Sequence, residues 1–213
     1  MPEWGLDAVY DGWRAALPGL RMAVLSWVAF GLAVPLLTVG AGELLAPGHA
    51  QGSMLRGPSG QIAGSADIGQ EWTSPQWFWG RPSATLTPKT GKPEPYAANN
   101  SGGSNLGPTN AALKAEVQSN LQAFLAGNPG VTASQVPLDL LESSGSGLDP
   151  DITPQSAYIQ VPRVAAASGV SASRLDALIA AQTHDGPLIR LFGAPYVNVL
   201  RLNLALAEAE GLR

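Results

Sequence analysis

The sequence predicts a mixed α/β protein: one N-terminal transmembrane helix followed by a small α+β domain outside the membrane. Three observations carry that prediction. No residue from Met22 to Gly42 is charged, and a helix rising ~1.5 Å per residue needs about 20 such residues to cross ~30 Å of hydrocarbon. Beyond the run, apolar residues recur at helical spacing in some stretches and in short alternating pieces in others. Finally, 25 glycines and 18 prolines among 213 residues place many turns between those pieces. The resulting map is a cytoplasmic leader over 1–20, a membrane helix over 21–43 and an extracytoplasmic domain over 44–213.

The leader carries Leu6, Val9, Tyr10, Trp13 and Leu17 at helical spacing. It suits the membrane interface, with Trp4 and Trp13 at headgroup level; a fraying tail is the other reading. The span lacks the polar stripe of an ordinary core helix of its length. A cleaved signal peptide is a rival, because Gly40, Ala41 and Gly42 would suit a peptidase; the run exceeds the ~7–15 residues of a signal-peptide core and favours a retained anchor. Pro35 is expected to disturb the helix, which a bilayer tolerates when neighbouring groups satisfy the freed carbonyl. Arg14 and Arg21 precede the span and only Arg56 closely follows it, so the N-terminus is placed in the cytoplasm.

After the span, glycines at 48, 52, 57, 60, 64 and 69 separate apolar fragments around Met54-Leu55 and Ile62, which reads as short strands and turns. Trp72 to Pro82 is the densest aromatic segment of the chain. Such a cluster fills a core or meets a partner or a membrane interface. Residues Thr87 to Gly107 form a long polar loop, and loops of that length are often functional. Leu113, Val117, Leu121, Phe124 and Leu125 mark one face of a helix, capped by Thr109 or Asn110 and ended by Gly127-Asn128-Pro129. Val136 to Leu141 suits a short strand, and Ser143 to Pro150 a loop. Thr153 starts a second helix before Pro154, with Tyr158, Val161, Val164 and Ala165 on its apolar face despite Pro162. Ser171 caps a third, bearing Leu175, Leu178 and Ile179. Tyr196 to Leu206 begins as a strand and reads as helix from about Leu202. The expected domain is a small sheet flanked by three or four helices.

Composition excludes several classes. A net charge of −4 and a pI near 5.1 leave no basic face for nucleic acid. Without cysteine there are no disulfides, thiolate nucleophiles or thiolate metal sites. Histidines occur only at 49 and 184; His184 sits where a helix end would favour a cation. Asp149 and Asp151 flank Pro150 without the further acids of a calcium loop, so no metal site is expected. Lys89-Thr90-Gly91 resembles the phosphorylation loop of P-type ATPases, but Pro88 stands where the nucleophilic aspartate belongs. Gly91-Lys92 lacks the Ser or Thr of a Walker A loop. Ser101-Gly102-Gly103-Ser104-Asn105 has the look of an ABC-type signature loop ahead of a helix, where backbone amides could hold an anion; a plain structural or docking loop is the simpler reading. No catalytic residue is expected.

Four blocks together carry a resemblance: Phe78 to Ala84, Ser101 to Asn110, Ser144 to Pro150, and Val197 to Leu200. In that order after one N-terminal span, they resemble the C subunit of the Kdp potassium-transporting ATPase over most of the chain from Arg21. Ala111 stands where that family often has proline, Asp151 where it often has histidine, and Ala194 and Tyr196 vary the segment before Val197. The resemblance implies a bacterial inner-membrane pump in which a channel-like subunit selects potassium, a P-type subunit hydrolyses ATP with Mg, and a small single-span subunit stabilises the assembly. This subunit would be required for activity without a cofactor of its own, and is described in the family as a catalytic chaperone that raises ATP affinity.

Contacts with partners are expected from Trp77, Trp79, Gly80, Arg81, Pro82, Ser101, Gly102, Gly103, Ser104, Asn105, Asn110, Ser146 and Asp149. The acidic balance, with Asp149 and Asp151 singled out, would draw cations toward a vestibule. One rival is a membrane-anchored nucleotide- or anion-binding protein using Ser101 to Asn105. Another is a free-standing extracytoplasmic solute-binding module.

Overall fold

The computed structural model describes the backbone of residues 4–209 and Gly211, with side chains from Arg14 onward except residue 15. The expected interfacial face of the leader at Trp4, Leu6, Val9, Tyr10 and Trp13 therefore lies outside the described side chains. The chain divides into two compact units, Met1–Gly52 and Ser53–Arg213.

The first unit is helical: α1 (Trp4–Val28), a π turn (Ala29–Ala33), α2 (Val34–Leu45) and a short α3 (Pro47–Ala50). Within it Ala16–Leu45 is a 30-residue apolar stretch of mean hydropathy 2.1 with no side chain buried inside the chain. That is what a helix meant for lipid or for other helices looks like, and its length covers the hydrocarbon with turns to spare. The disturbance expected at Pro35 takes the form of the π turn. Pro35 offers no N–H to the carbonyl four residues back and its ring crowds it; widening the preceding turn relieves both. Val34 N–H accordingly donates to Ala29 O, five residues back.

The second unit is mixed. β1 (Met54–Arg56) and β2 (Ile62–Ser65) form an antiparallel hairpin with a register shift between Leu55 and Arg56. A long irregular stretch follows, tied once by a bridge between Leu86 and Pro93. Helix α4 (Ala111–Gly127) is capped by Asn110, whose side chain accepts from Ala112 N–H, and it ends before Asn128. Then come β3 (Asp151–Ile152), α5 (Pro154–Tyr158), α6 (Val161–Ser168), α7 (Ala172–Gln182), β4 (Thr183–His184), α8 (Pro187–Phe192), β5 (Tyr196–Asn198) and α9 (Val199–Ala209). The second sheet has the order β3-β5-β4, antiparallel throughout. Its central strand places Val197 against both Ile152 and Thr183, fully buried.

The core lies where α7 and α9 pack together beside this sheet. Leu175 and Ile179 on α7 and Leu202 and Leu206 on α9 are each spaced by four residues, so each pair stacks on one helix face; all are fully buried. Phe78 from the aromatic segment and Phe124 from α4 complete the same cluster. The aromatic segment thus serves the core through Phe78, while Trp72, Trp77 and Trp79 are half-buried against it.

Several expectations are corrected. Val136 to Leu141 is not a strand but the exit of one 3₁₀ turn (Ala133–Gln135) and the whole of a second (Leu138–Leu140). Leu140 and Leu141 are both buried, which alternation forbids, and Thr132 with Gln135 forms a capping box that favours a turn. The second helix is two helices: Thr153 starts α5 as expected, and the chain breaks at Ile159-Gln160 so that Pro162 falls in the first turn of α6, where its missing N–H costs nothing. The final helix begins at Val199 rather than near Leu202. His184 caps no helix; it lies in β4 directly opposite Tyr196, with ring centroids 4.9 Å apart and stacked. The single expected sheet is two, and β3, β4 and α8 had no counterpart in the sequence reading.

Candidate functional site

The residues of the Trp72–Pro82 segment have no strand neighbours, so their buried backbone groups need other partners. Side-chain amides supply them. Phe78 N–H donates to Asn203 Oδ1 (2.8 Å) and Asn203 Nδ2 donates to Phe78 O (2.9 Å). One residue on, Trp79 N–H donates to Gln160 Oε1 (2.8 Å) and Gln160 Nε2 donates to Trp79 O (3.1 Å). Asn203 comes from α9 and Gln160 from the α5–α6 break, and both are almost wholly buried. Arg163 on α6 finishes the clamp. It donates through Nε to Asn128 Oδ1 (2.8 Å), through Nη1 to the carbonyls of Pro75 (2.6 Å) and Trp77 (2.9 Å), and through Nη2 to Gln160 Oε1 (2.5 Å). Its guanidinium stands 3.9 Å from the centre of the Trp79 ring. Burial pulls the Arg163 pKa down to about 10, so at neutral pH it remains a cation solvated by neutral acceptors.

Past Gly80 the chain enters a second knot of three loops. Arg81 Nη1 pairs with Asp149 Oδ2 at 3.0 Å, and Arg81 Nη2 reaches the Glu142 carbonyl at 3.4 Å. Ser83 Oγ donates to Gly147 O (2.7 Å) and accepts from Tyr96 N–H (2.9 Å). The Tyr96 hydroxyl donates to Arg81 O at 2.6 Å, and burial holds its pKa well above the ordinary phenol value, with Asp149 adding to the effect. Gly102 N–H and Ser101 Oγ both donate to Ser146 O, at 2.8 and 3.0 Å. Gly103 passes over the backbone of Ser144 and Gly145. At Gly147 only glycine fits: φ is +66°, and a Cβ would stand 2.6 Å from Gly102 O.

The structure therefore brings most of the predicted site residues together. Arg81, Ser101, Gly102, Gly103, Ser146 and Asp149 belong to the knot, while Trp77, Trp79, Gly80 and Pro82 lead into it. Asn105 is exposed with φ +55°, and Asn110 serves α4 as its cap. Ser104 is half-buried. Two expectations change in meaning. The Ser101–Asn105 loop does not open a helix, since α4 starts at Ala111 behind its own cap, and Gly102 N–H donates to Ser146 O rather than facing outward. Asp149 and Asp151 are not free surface charges either. Asp149 is paired with Arg81 and accepts from Asp151 N–H, and Asp151 is half-buried with its pKa raised chiefly by desolvation.

Asn203, Gln160, Arg163, Asn128 and Tyr96 were missed by sequence reasoning. The available signal was a polar side chain set on an apolar helical stripe, as Asn203 is between Val199 and Leu206.

Beside the knot lies a cleft of about 430 Å³ bounded by residues 70–73, 79–83, 95–96 and the face of α4. Two donors in its lining residues, Trp72 Nε1 and Arg81 Nε, are shut off from solvent without a hydrogen-bond partner. Each such group costs about 1–3 kcal/mol. Among the described residues no group of three or more His, Asp or Glu side chains is placed to hold a metal ion.

Comparison with known proteins covers span and domain alike. The family model described as "K+-transporting ATPase, c chain" matches residues 16–208. The Potassium-transporting ATPase KdpC subunit of Methylobacterium nodulans is 48% identical over 200 residues, which is 91% of this chain and 96% of that protein. Its counterpart in Rhodopseudomonas palustris is 46% identical over 202 residues (91% and 98%), and that of Variovorax paradoxus 45% over 196 (92% and 97%). With one helix long and apolar enough to cross a membrane among the described residues, a domain whose predicted contact loops are locked together and a match that runs through both, this chain belongs to the KdpC family, the c chain of the K+-transporting ATPase.

Proposed function

We propose that this chain is the non-catalytic accessory subunit of an ATP-driven potassium uptake complex in a bacterial inner membrane. The observation that carries the reading is the family match over residues 16–208, which takes in the span as well as the domain. The span packs against partner helices. Its support is the apolar surface at Val24, Trp27, Val28, Gly31 and Leu32, a shallow groove beside the π turn into which a neighbouring helix fits closely at the glycine. The domain over 44–213 lies outside and docks on the potassium-selecting, channel-like subunit through Trp77–Pro82 and the Ser101–Asn110 loop. The exposed Leu188, Leu191 and Phe192 of α8 support a surface built to be covered. Potassium, ATP and Mg are handled by the partners: the channel-like subunit, the P-type ATP-hydrolysing subunit and the small single-span subunit.

An effect on ATP affinity is, on this reading, conformational. The outer loops stand ~30 Å of hydrocarbon away from cytoplasmic nucleotide, so the coupling passes through the membrane parts and amounts to ~1–3 kcal/mol. The nucleotide-binding alternative predicts direct binding. Equilibrium dialysis of the full chain in mild detergent against ATP decides between them: no retention is the expected result, and tight binding abolished by Ser104→Pro would favour the alternative. Orientation is tested by a reporter joined after Arg213, which should be active only on the outer side; activity in the cytoplasm reverses it.

A further inference from the structure

Glu43 is the first charged residue after the run that begins at Met22. A charge is not left in hydrocarbon, so the lipid tails end at about its level. The chain does not leave that level at once, because α3 folds back on the end of α2. Gln51 Nε2 donates to Glu43 Oε2 (3.2 Å), and Ala50 Cβ lies over Gly42; in a straight helix each of these pairs would stand ~12 Å apart along the axis. Strand β1 then begins at Met54. A reach of at most ~3.6 Å per residue keeps Met54 within ~11 Å of Gln51.

The β1–β2 hairpin forms a sheet of its own. Leu55 and Gly64, directly paired, make its inner face, where Gly64 lies against Leu200 of α9. Alternation puts Met54 and Arg56 on the outer face. On β2 the same alternation would turn Ile62, two residues before Gly64, inward. The register shift opposite Ala63 prevents this by pairing Ile62 with Arg56, so that Ile62 is 56% exposed and Met54 54%. A bulge re-aims side chains in this way, and here it turns an isoleucine out. Charge follows the same pattern. No Asp or Glu lies between Glu43 and Asp67 in a chain that is acidic overall. Arg56 is exposed and has no ion-pair partner among the described residues; its Nη1 donates to Gly60 O (2.8 Å), which holds the guanidinium at the hairpin turn.

We infer that the outer face of the β1–β2 hairpin rests on the bilayer surface, with Met54 and Ile62 at the boundary between headgroups and tails and Arg56 on lipid phosphate. Apolar side chains around a cation without a carboxylate partner complement that boundary. So small a patch binds a membrane weakly from solution. The span makes its binding intramolecular, and a weak affinity is then enough. The domain is thereby held to lipid at a second point beside the span, apart from its docking loops. The inference needs the span to lie in the bilayer and does not depend on what the docking loops contact.

The test uses the complex, purified in mild detergent and reconstituted into phosphatidylcholine vesicles with and without phosphatidylglycerol. A phospholipid bearing a photoreactive diazirine beside its headgroup is included. On irradiation, mass spectrometry of this chain should find lipid adducts on residues 54–62. Met54→Ser with Ile62→Ser, both at exposed positions that leave the core untouched, should cut the yield about tenfold. Phosphatidylglycerol should raise the parent's yield about fivefold, and Arg56→Gln should abolish that gain. No adduct on residues 54–62, a yield that the double variant leaves unchanged, or a gain that Arg56→Gln keeps overturns the inference. Adducts that form on the chain alone in vesicles and vanish in the complex give this face to a partner subunit and overturn it as well. Extraction of the chain from the vesicles by alkaline carbonate would take the span out of the bilayer and the inference with it.

Discussion

Asn203 shows how one side chain decides the position of a whole segment. Its amide supplies both hydrogen bonds of the buried Phe78 backbone, so Asn203→Leu leaves a donor and an acceptor without partners and should destabilise the domain by about 3 kcal/mol. Thermal unfolding of the full chain in mild detergent measures it; a variant as stable as the parent would mean that Phe78 is held by its ring alone. Asp151 gives the pH dependence. Desolvation raises its folded pKa above the unfolded value, so its ionisation opposes folding at neutral pH, and stability on its account grows as pH falls through the folded pKa toward the unfolded value near 3.8. Asp151→Asn removes the charge and keeps an oxygen for Asn198 Nδ2 (3.0 Å). The melting temperature at pH 7 should rise by roughly 1–2 °C, and the difference should vanish near pH 4; an increase that persists at pH 4 would assign the effect to something other than the charge.

Among the elements, those set by local rules were legible in the sequence. Of the two caps offered for α4 Asn110 is the one used, Ser171 caps α7 as expected, and the short strands expected around Met54 and Ile62 are present, paired as a hairpin. Elements set by tertiary pairing were not. β3 and β4 are two residues each, too short for a period, and exist because β5 runs between them. His184 belongs to a strand for the same reason. At the candidate site, the resemblance named the loops, and local pattern could not have shown that Ser83, Gly102 and Ser146 lace them together, since those bonds join residues 44 to 64 positions apart. Gly147 is the point where that lacing is most easily undone. Gly147→Val would force its side chain onto Gly102 O and Thr85, opening the knot while the α7–α9 core persists. Limited proteolysis should then cut between residues 98 and 110 at least tenfold faster with little change in helical content; an unchanged cleavage rate would show that the loops do not depend on one another.

For the whole molecule, the two units divide the work. The first supplies a helix uncharged from Met22 to Gly42, whose π turn and exposed apolar surface suit packing against other helices. The second supplies a small core whose buried polar residues Asn203, Gln160 and Arg163 fix the backbone of the aromatic segment. Within the loop knot the Ser83 and Ser101 hydroxyls donate to backbone carbonyls, and Ser146 Oγ accepts from a backbone N–H. Such an arrangement holds a surface in a fixed shape, which is the requirement of a subunit that acts by contact. Purification through a tag on this chain, in mild detergent from cells starved of potassium, tests this most directly. The account predicts that a multi-span ATPase with potassium-stimulated hydrolysis is retained in fixed proportion to the chain. Elution of the chain alone, with its span intact and no ATPase bound, would contradict it.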